Sequence, residues 1–96
     1  MKYITFTIPC YNSENYMRRC VDSLLVGGED VEILIIDDGS SDRTGAIADE
    51  YEMLYPNIVK AVHKPNGGHG SGVNKGLELA HGLYYKVVTG STVMLI

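Results

Sequence analysis

Short apolar runs recur along the chain at nearly equal intervals. Each run is rich in β-branched or aromatic residues, a composition typical of strands that are covered on both faces of a sheet. The four runs begin at Ile4, Val31, Ile58 and Tyr84. The spacing leaves room for one helix between each strand and the next.

Between these runs, apolar residues recur at the spacing of a helix. Residues 17–25, 47–55 and 73–80 each carry one apolar stripe, which predicts three amphipathic helices. Ser13, and then Ser41 or Asp42, stand where N-terminal caps of the first two helices are expected. Gly82 stands where a left-handed residue would end the third helix.

The predicted element order is β-α-β-α-β-α-β. Because a crossover between parallel strands is right-handed in nearly all proteins, this order predicts an α/β fold with an open, mostly parallel sheet and helices on both faces. No linker or low-complexity segment divides residues 1–96, so we expect a single domain. Residues 89–96 are an atypical tail, and their apolar end is expected to form an edge strand or a dimer contact.

Charge and composition exclude several classes of function. The chain has 8 Lys and Arg against 12 Asp and Glu, a net charge of -4, and no dense basic cluster, so a nucleic acid partner is not expected. No apolar run reaches the roughly 18–20 residues of a membrane span, and no signal-peptide pattern precedes the first strand, so we expect a cytoplasmic protein. Cys10 and Cys20 have neither metal-knuckle nor redox spacing, which predicts free, buried thiols.

The loops that follow the strands carry the candidate chemistry, since ligands of open α/β sheets bind beyond the carboxyl ends of the strands. Tyr11 offers a flat face for stacking, and Asp37 or Asp38 offers an acceptor for the imide N–H of uracil. Glycines at 67–72 precede a helix, where backbone N–H groups can approach an anion. These features favour a nucleotide, although neither dinucleotide-binding nor P-loop spacing occurs.

Each feature also has a plain structural interpretation. The glycines can serve a turn, residues 37–42 can be a strand end, a turn and a helix cap, and Tyr11 can be a rim aromatic. His63, His69 and His81 form no metal-ligand pattern and are expected to be exposed or locally hydrogen-bonded. The features gain weight only when they are considered together.

Considered together, they resemble the family 2 glycosyltransferases over residues 3–88. The resemblance is carried by IPCYNSENY at 8–16, IIDDGSSDRT at 35–44, NGGHG at 66–70 and NKGL at 74–77. It implies the Rossmann-like, N-terminal half of a GT-A fold, which binds a nucleotide sugar, usually a UDP-sugar. It also implies transfer of the sugar with inversion at the anomeric carbon.

The resemblance also implies which residues contact the nucleotide. Pro9 and Tyr11 match the loop against uracil and ribose, and Asp38 matches the carboxylate that hydrogen-bonds the base. The full set of implied nucleotide-binding residues is Pro9, Tyr11, Asn12, Glu14, Asp38, Asn66 and Gly67. Many members carry an arginine where this chain has Val73, so a direct charge contact with the diphosphate is not expected there.

The chain departs from the family pattern after the fourth strand. Members place an Asp-x-Asp type motif there, whose carboxylates hold Mg²⁺ or Mn²⁺ against the donor diphosphate. Here no carboxylate follows Glu78, so we assign neither a metal ligand nor a catalytic residue. We expect nucleotide-sugar binding without sugar transfer, and self-association through an exposed sheet edge or the apolar tail. The alternative is a non-catalytic remnant that serves as a protein-association module.

Overall fold

The computed structural model describes residues 2–89 and 92–95. The strands are β1 (Ile4–Cys10), β2 (Val31–Asp38), β3 (Val59–Lys64), β4 (Tyr84–Thr89) and β5 (Thr92–Leu95). The helices are α1 (Met17–Leu24), α2 (Thr44–Leu54) and α3 (His69–Leu79), and a 3₁₀ helix follows α1 at Leu25–Asp30. Within the described ranges, no helix is both long and apolar enough to span a bilayer.

The strands form one sheet in the order β3-β2-β1-β4-β5. The first four are parallel, and β5 runs antiparallel to β4. The predicted open, mostly parallel α/β architecture is confirmed, with β5 added at one edge by the tail segment. β1 and β2 pair in step from Ile4↔Val31 to Cys10↔Asp37, so the loops after both strands leave the sheet at the same level.

Helices cover both faces of the sheet. β1 and β2 turn alternate side chains to opposite faces, and a core cluster joins one of these faces to α1 and α2. That cluster includes Ile8, Ile33, Ile35, Met17, Val21 and Ile47. All eight residues of β2 are buried, which explains why its sequence is an almost continuous apolar run.

Helix α3 lies close against the other face of β1. A Cβ built on Gly76 would stand 2.3 Å from Thr7 Oγ1, and one on Gly72 would stand 3.1 Å from the Cβ of Pro9. Only a glycine permits the approach at position 76, because real Cβ atoms essentially never come that near another heavy atom. This close packing brings the start of α3 beside the carboxyl end of β1.

The helix ends differ from the predicted ones. The N-cap of α2 is Arg43, without a side-chain cap hydrogen bond, and not Ser41 or Asp42. Asp42 lies one residue earlier, and its Oδ1 accepts a hydrogen bond from the Thr44 N–H over 2.9 Å. The Ser13 prediction is wrong: its carbonyl, not its hydroxyl, accepts from the Met17 N–H at the start of α1. Gly82 is also not left-handed. It is needed for close approach, because an added Cβ would stand 2.5 Å from the Thr5 backbone nitrogen.

Candidate functional site

A pocket of about 180 Å³ lies at the carboxyl ends of β1 and β2. Its walls combine a stacking face, a carboxylate, an amide and a thiol. They are formed by Pro9, Cys10, Tyr11, Asp38, Asn66 and Gly68. A larger hollow of about 480 Å³ lies at the opposite end of the sheet, lined by Tyr3, Gly27, Asp30, Val31 and Leu83. The smaller pocket is the candidate site, because it gathers several polar groups where open α/β sheets bind ligands.

Strand β1 supplies one wall of the pocket. Pro9 packs on α3, whereas Cys10 is buried and Tyr11, the first residue after the strand, is 53% exposed. Burial raises the pKa of the Cys10 thiol to about 12, so this wall is a neutral thiol at physiological pH. Cys10 and Cys20 are both free and buried, as predicted.

Asp38, the last residue of β2, supplies the acidic group. It is only 4% exposed. Its Oδ1 accepts hydrogen bonds from Lys64 Nζ over 2.6 Å and from the Gly67 N–H over 2.9 Å, and its Oδ2 accepts from the Gly68 N–H over 2.9 Å. The hydrogen bond from Lys64 lowers the pKa of Asp38 below its ordinary value. The carboxylate is therefore ionised at neutral pH.

The loop after β3 is locked to the end of β2. Asn66 Nδ2 donates to the Asp38 carbonyl oxygen over 3.1 Å. Gly39 makes this contact possible: its φ is +69°, and a Cβ there would stand 2.7 Å from the Asn66 backbone nitrogen. A side chain at position 39 would therefore strain its own backbone and displace Asn66 from the pocket.

The loop after β1 is braced against the loop after β2. Asn12 Oδ1 accepts from the Ser41 N–H over 2.9 Å, and the Asn12 N–H donates to Ser40 Oγ over 3.0 Å. The Glu14 N–H donates to Asp42 Oδ2 over 3.2 Å. These contacts fix the position of Tyr11, which lies between the strand and the braced turn.

The residues implied by the family resemblance thus occupy two kinds of position. Those in the pocket wall are Pro9, Tyr11, Asp38 and Asn66. Gly67 contacts the Asp38 carboxylate through its backbone, whereas Asn12 and Glu14 belong to the brace beneath the wall. Their contact with a nucleotide stays a prediction for all seven.

Sequence reasoning missed Lys64. The pairing of Lys64 with Asp38 follows from the register of two neighbouring strands. β2 and β3 pair in parallel, with Asp38 opposite Lys64 and Asp37 opposite His63. Two acidic residues at one strand end face two basic residues at the next. Once the register is known, the pattern indicates two ion pairs, one on each face of the sheet.

The second ion pair lies on the α2 side of the sheet. His63 Nδ1 is 2.9 Å from Asp37 Oδ2, and its Nε2 is 2.7 Å from Asp49 Oδ1. The hydrogen bonds to Asp37 and Asp49 raise the pKa of His63. Burial raises the pKa of Asp37, but hydrogen bonds from His63 and Ser40 outweigh it, and the net shift is downward.

The expectation of locally hydrogen-bonded histidines is confirmed for two of the three. His63 is bonded as described, and His81 Nδ1 lies 2.9 Å from Glu32 Oε2. Burial raises the pKa of Glu32, but hydrogen bonds from His81 and Thr5 outweigh it and lower the pKa. The side chain of His69 lies outside the described part of the chain.

The described residues do not fit a divalent cation. Among the side chains that the structure describes, which leave out that of His69, no group of three or more His, Cys, Asp or Glu is arranged to hold a metal ion. The two carboxylates at the carboxyl end of β2 are paired on opposite faces of the sheet, Asp38 with Lys64 and Asp37 with His63, so they do not converge on one ion. The Mg²⁺ or Mn²⁺ that the resemblance implies finds no ligand set among them.

Fold and pocket together define an α/β domain with a candidate site at the carboxyl ends of its parallel strands. The family model for glycosyl transferase family 2 matches residues 5–89. The chain therefore belongs to this family. It is 38% identical over 88 residues to the uncharacterized glycosyltransferase EpsJ of Bacillus subtilis, a match that covers 91% of this chain and 25% of the relative.

Solved structures agree in fold. S. aureus TarS 1-349 in complex with UDP superposes with a TM-score of 0.80 at 27% identity, covering 95% of this chain and 28% of that one. The mannosyltransferase PcManGT from Pyrobaculum calidifontis, in complex with GDP-Man and Mn²⁺, superposes with a TM-score of 0.81 at 18% identity, covering 92% and 27%. The chain spans about a quarter of the length of these relatives.

Proposed function

We propose that this domain binds a UDP-sugar through its uridine diphosphate, with the uracil held between Tyr11 and Asp38. The observation that carries the proposal is the Asp38 carboxylate: it is ionised, buried at the pocket wall, and incompletely satisfied. A carboxylate offers about four acceptor positions, and three hydrogen bonds occupy Asp38. One acceptor position on Oδ2 is left for a donor.

The chemistry of uracil suits this position. Its ring carries a single imide N–H, which matches one open acceptor, and a hydrogen bond to an ionised group is roughly twice as strong as a neutral one. Tyr11 lines the same pocket and is 53% exposed, so its ring is available to stack on a base. The UDP held by the similar TarS chain supports this choice of nucleotide.

We propose that this binding serves an inverting sugar transfer. The residues of this chain contribute the binding of the nucleotide sugar to that reaction. No side-chain carboxylate follows Glu78 in the sequence. Residues 79–96 therefore offer neither a hard ligand for Mg²⁺ or Mn²⁺ nor a carboxylate base for an acceptor hydroxyl. We expect UDP binding and no sugar transfer by this chain.

Titration calorimetry with UDP tests the proposal. Asp38→Asn keeps the size of the side chain and removes the charge, so UDP affinity should fall by about 10-fold to 100-fold, the usual worth of a hydrogen bond to a charged group. Asp37→Asn is the matched control, because the same change is made one residue away on the opposite face of the sheet. Circular dichroism establishes that both variants fold.

Equal UDP affinities for the wild type and Asp38→Asn would remove Asp38 from the site. No UDP binding by the wild type, together with a stable oligomer, would favour the protein-association module instead.

Self-association and a cytoplasmic location stay predictions. β3 is the outer strand on its side of the described sheet, and an unpaired strand edge is a template for pairing with a second copy. Light scattering at micromolar concentration distinguishes a dimer from a monomer.

A further inference from the structure

We propose that Lys64 is a positioning residue for nucleotide binding: it holds the Asp38 carboxylate so that the open acceptor of Oδ2 serves the base. The inference rests on the proposed function and deepens it. Lys64 is not part of the pocket wall, so it acts through Asp38 rather than on the ligand.

The ammonium group of Lys64 is held by two acceptors. Asp38 and Lys64 are paired residues of neighbouring parallel strands, so both side chains rise on the same face of the sheet. Lys64 Nζ donates to Asp38 Oδ1 over 2.6 Å and to the Pro65 carbonyl oxygen over 2.7 Å. The side chain is 15% exposed. An ammonium held this way by two acceptors is a fixed point charge beside the carboxylate.

The two oxygens of Asp38 accept different numbers of hydrogen bonds. Oδ1 accepts from Lys64 and Gly67, whereas Oδ2 accepts from Gly68 alone. The two oxygens of a carboxylate are chemically equivalent, so Lys64 acts on the plane of the group: any rotation short of a half-turn would break the 2.6 Å bond. Lys64 therefore keeps the oxygen with the open acceptor position in place, and it keeps that oxygen an acceptor, because a protonated carboxyl would present an O–H toward the N–H of the base.

Among the side chains that the structure describes, Lys64 is the one cation paired with Asp38. The loop after β3 adds only neutral donors, the N–H groups of Gly67 and Gly68. From β1 and the loop after it, the titratable residues that line the same pocket are Cys10 and Tyr11. The neighbouring pair of Asp37 and His63 lies on the other face of the sheet.

The experiment measures UDP affinity by calorimetry between pH 4.5 and 8 for the wild type, Lys64→Met and Lys64→Arg. Lys64→Met keeps the aliphatic stem and loses the charge, so UDP affinity at pH 7.5 should fall about tenfold. The acidic limb of the plot of UDP affinity against pH, where the affinity falls as Asp38 is protonated, should also move to higher pH. The reason is that Asp38 loses the cation that keeps it ionised. Lys64→Arg should restore most of the affinity and the position of that limb.

Lys60→Met is the matched control, since Lys60 is an exposed lysine on the same strand, and its UDP affinity should equal that of the wild type. The decisive comparison is the double variant with Asp38→Asn. If Lys64 acts through Asp38, adding Lys64→Met to Asp38→Asn should cause no further loss. Should Lys64→Met fail to fold, Lys64→Gln carries the same expectations, because it retains a donor without the charge.

Wild-type affinity and an unmoved acidic limb in the uncharged Lys64 variant would overturn the inference. A further loss in the double variant would also overturn it. In both cases, weaker UDP binding by Asp38→Asn than by the wild type would still support the proposed function. Absence of UDP binding by the wild type, by contrast, would remove the proposed function and this inference with it.

Discussion

The two faces of the sheet at the end of β2 carry consecutive aspartates with different surroundings. Asp38 faces a pocket and is bonded to a lysine and two backbone N–H groups. Asp37 faces α2, and its side chain is bonded to a histidine and to the Ser40 N–H. Because side chains of a strand alternate between faces, two identical neighbours are assigned to a ligand pocket and to a helix contact respectively.

The partners of the two aspartates differ in chemistry. Asp38 is paired with the ammonium group of a lysine, whereas Asp37 is paired with the imidazole of a histidine. The hydrogen bonds to Asp37 and Asp49 raise the pKa of His63, so the charge on the α2 face depends on pH. The aspartate on one face therefore belongs to the candidate pocket, and its neighbour belongs to a contact whose strength varies with pH.

The comparison is tested most strongly by removing Asp37. Asp37→Ala leaves His63 without its buried partner and the Ser40 N–H without an acceptor, so the free energy of unfolding should fall by about 2–3 kcal/mol. UDP affinity should stay within about twofold of the wild type, since the pocket lies on the other face. Urea denaturation and calorimetry measure the two quantities. A large loss of affinity in a folded variant would show that the two faces are coupled.

A smaller effect is expected from the aromatic wall on the Asp38 face. Tyr11→Ala should weaken UDP binding by about 5-fold to 10-fold, as is usual for loss of one base-stacking ring, while stability changes little because the side chain is 53% exposed. Tyr16→Ala is the control, since Tyr16 is 51% exposed and does not line the pocket. Equal affinities for the two variants would argue against stacking on Tyr11.

The smallest effect is the pH dependence on the Asp37 face. The pKa of His63 is raised in the folded chain, so the stability it contributes is fully present below its unfolded pKa of about 6.5 and is lost as the pH rises through the folded pKa. The pKa of Asp37 is lowered, so its contribution is present above about pH 4 and is lost as the pH falls through the folded pKa.

The pair should therefore stabilise most between roughly pH 4 and pH 6.5. The side chain of His63 is 45% exposed, so solvent screening limits the change to less than about 1 kcal/mol. Urea denaturation of the wild type and His63→Gln from pH 5 to 8.5 checks this. A wild-type slope that survives unchanged in His63→Gln would assign the titration to another group.

Much of the fold could be predicted from the sequence, because local composition marks the parallel strands. The apolar runs predicted strands that begin at Val31 and Tyr84, where β2 and β4 do begin, and the helical stripes predicted α1, α2 and α3. The tail left two options open, an edge strand or a dimer contact. Its pairing with β4 is a tertiary interaction, which the local pattern does not determine.

The site could be predicted only in part, for the same reason. Tyr11 and Asp38 were brought to one pocket by the rule for parallel strands, without knowledge of register. Lys64 was missed because its role depends on the pairing of β2 with β3, which sets Asp38 opposite Lys64. The prediction of a left-handed Gly82 was wrong. A glycine that is needed for close approach to Thr5 looks the same in the sequence as a glycine that is needed for a turn.

The complete burial of β2 gives this domain an internal reference for hydrogen-exchange experiments. Amide protons at the centre of that strand exchange with solvent only when the whole domain opens, whereas the Gly67 and Gly68 amides report the release of their loop from Asp38. The ratio of the two exchange rates therefore measures how often the loop after β3 leaves Asp38 while the sheet beneath the pocket stays folded.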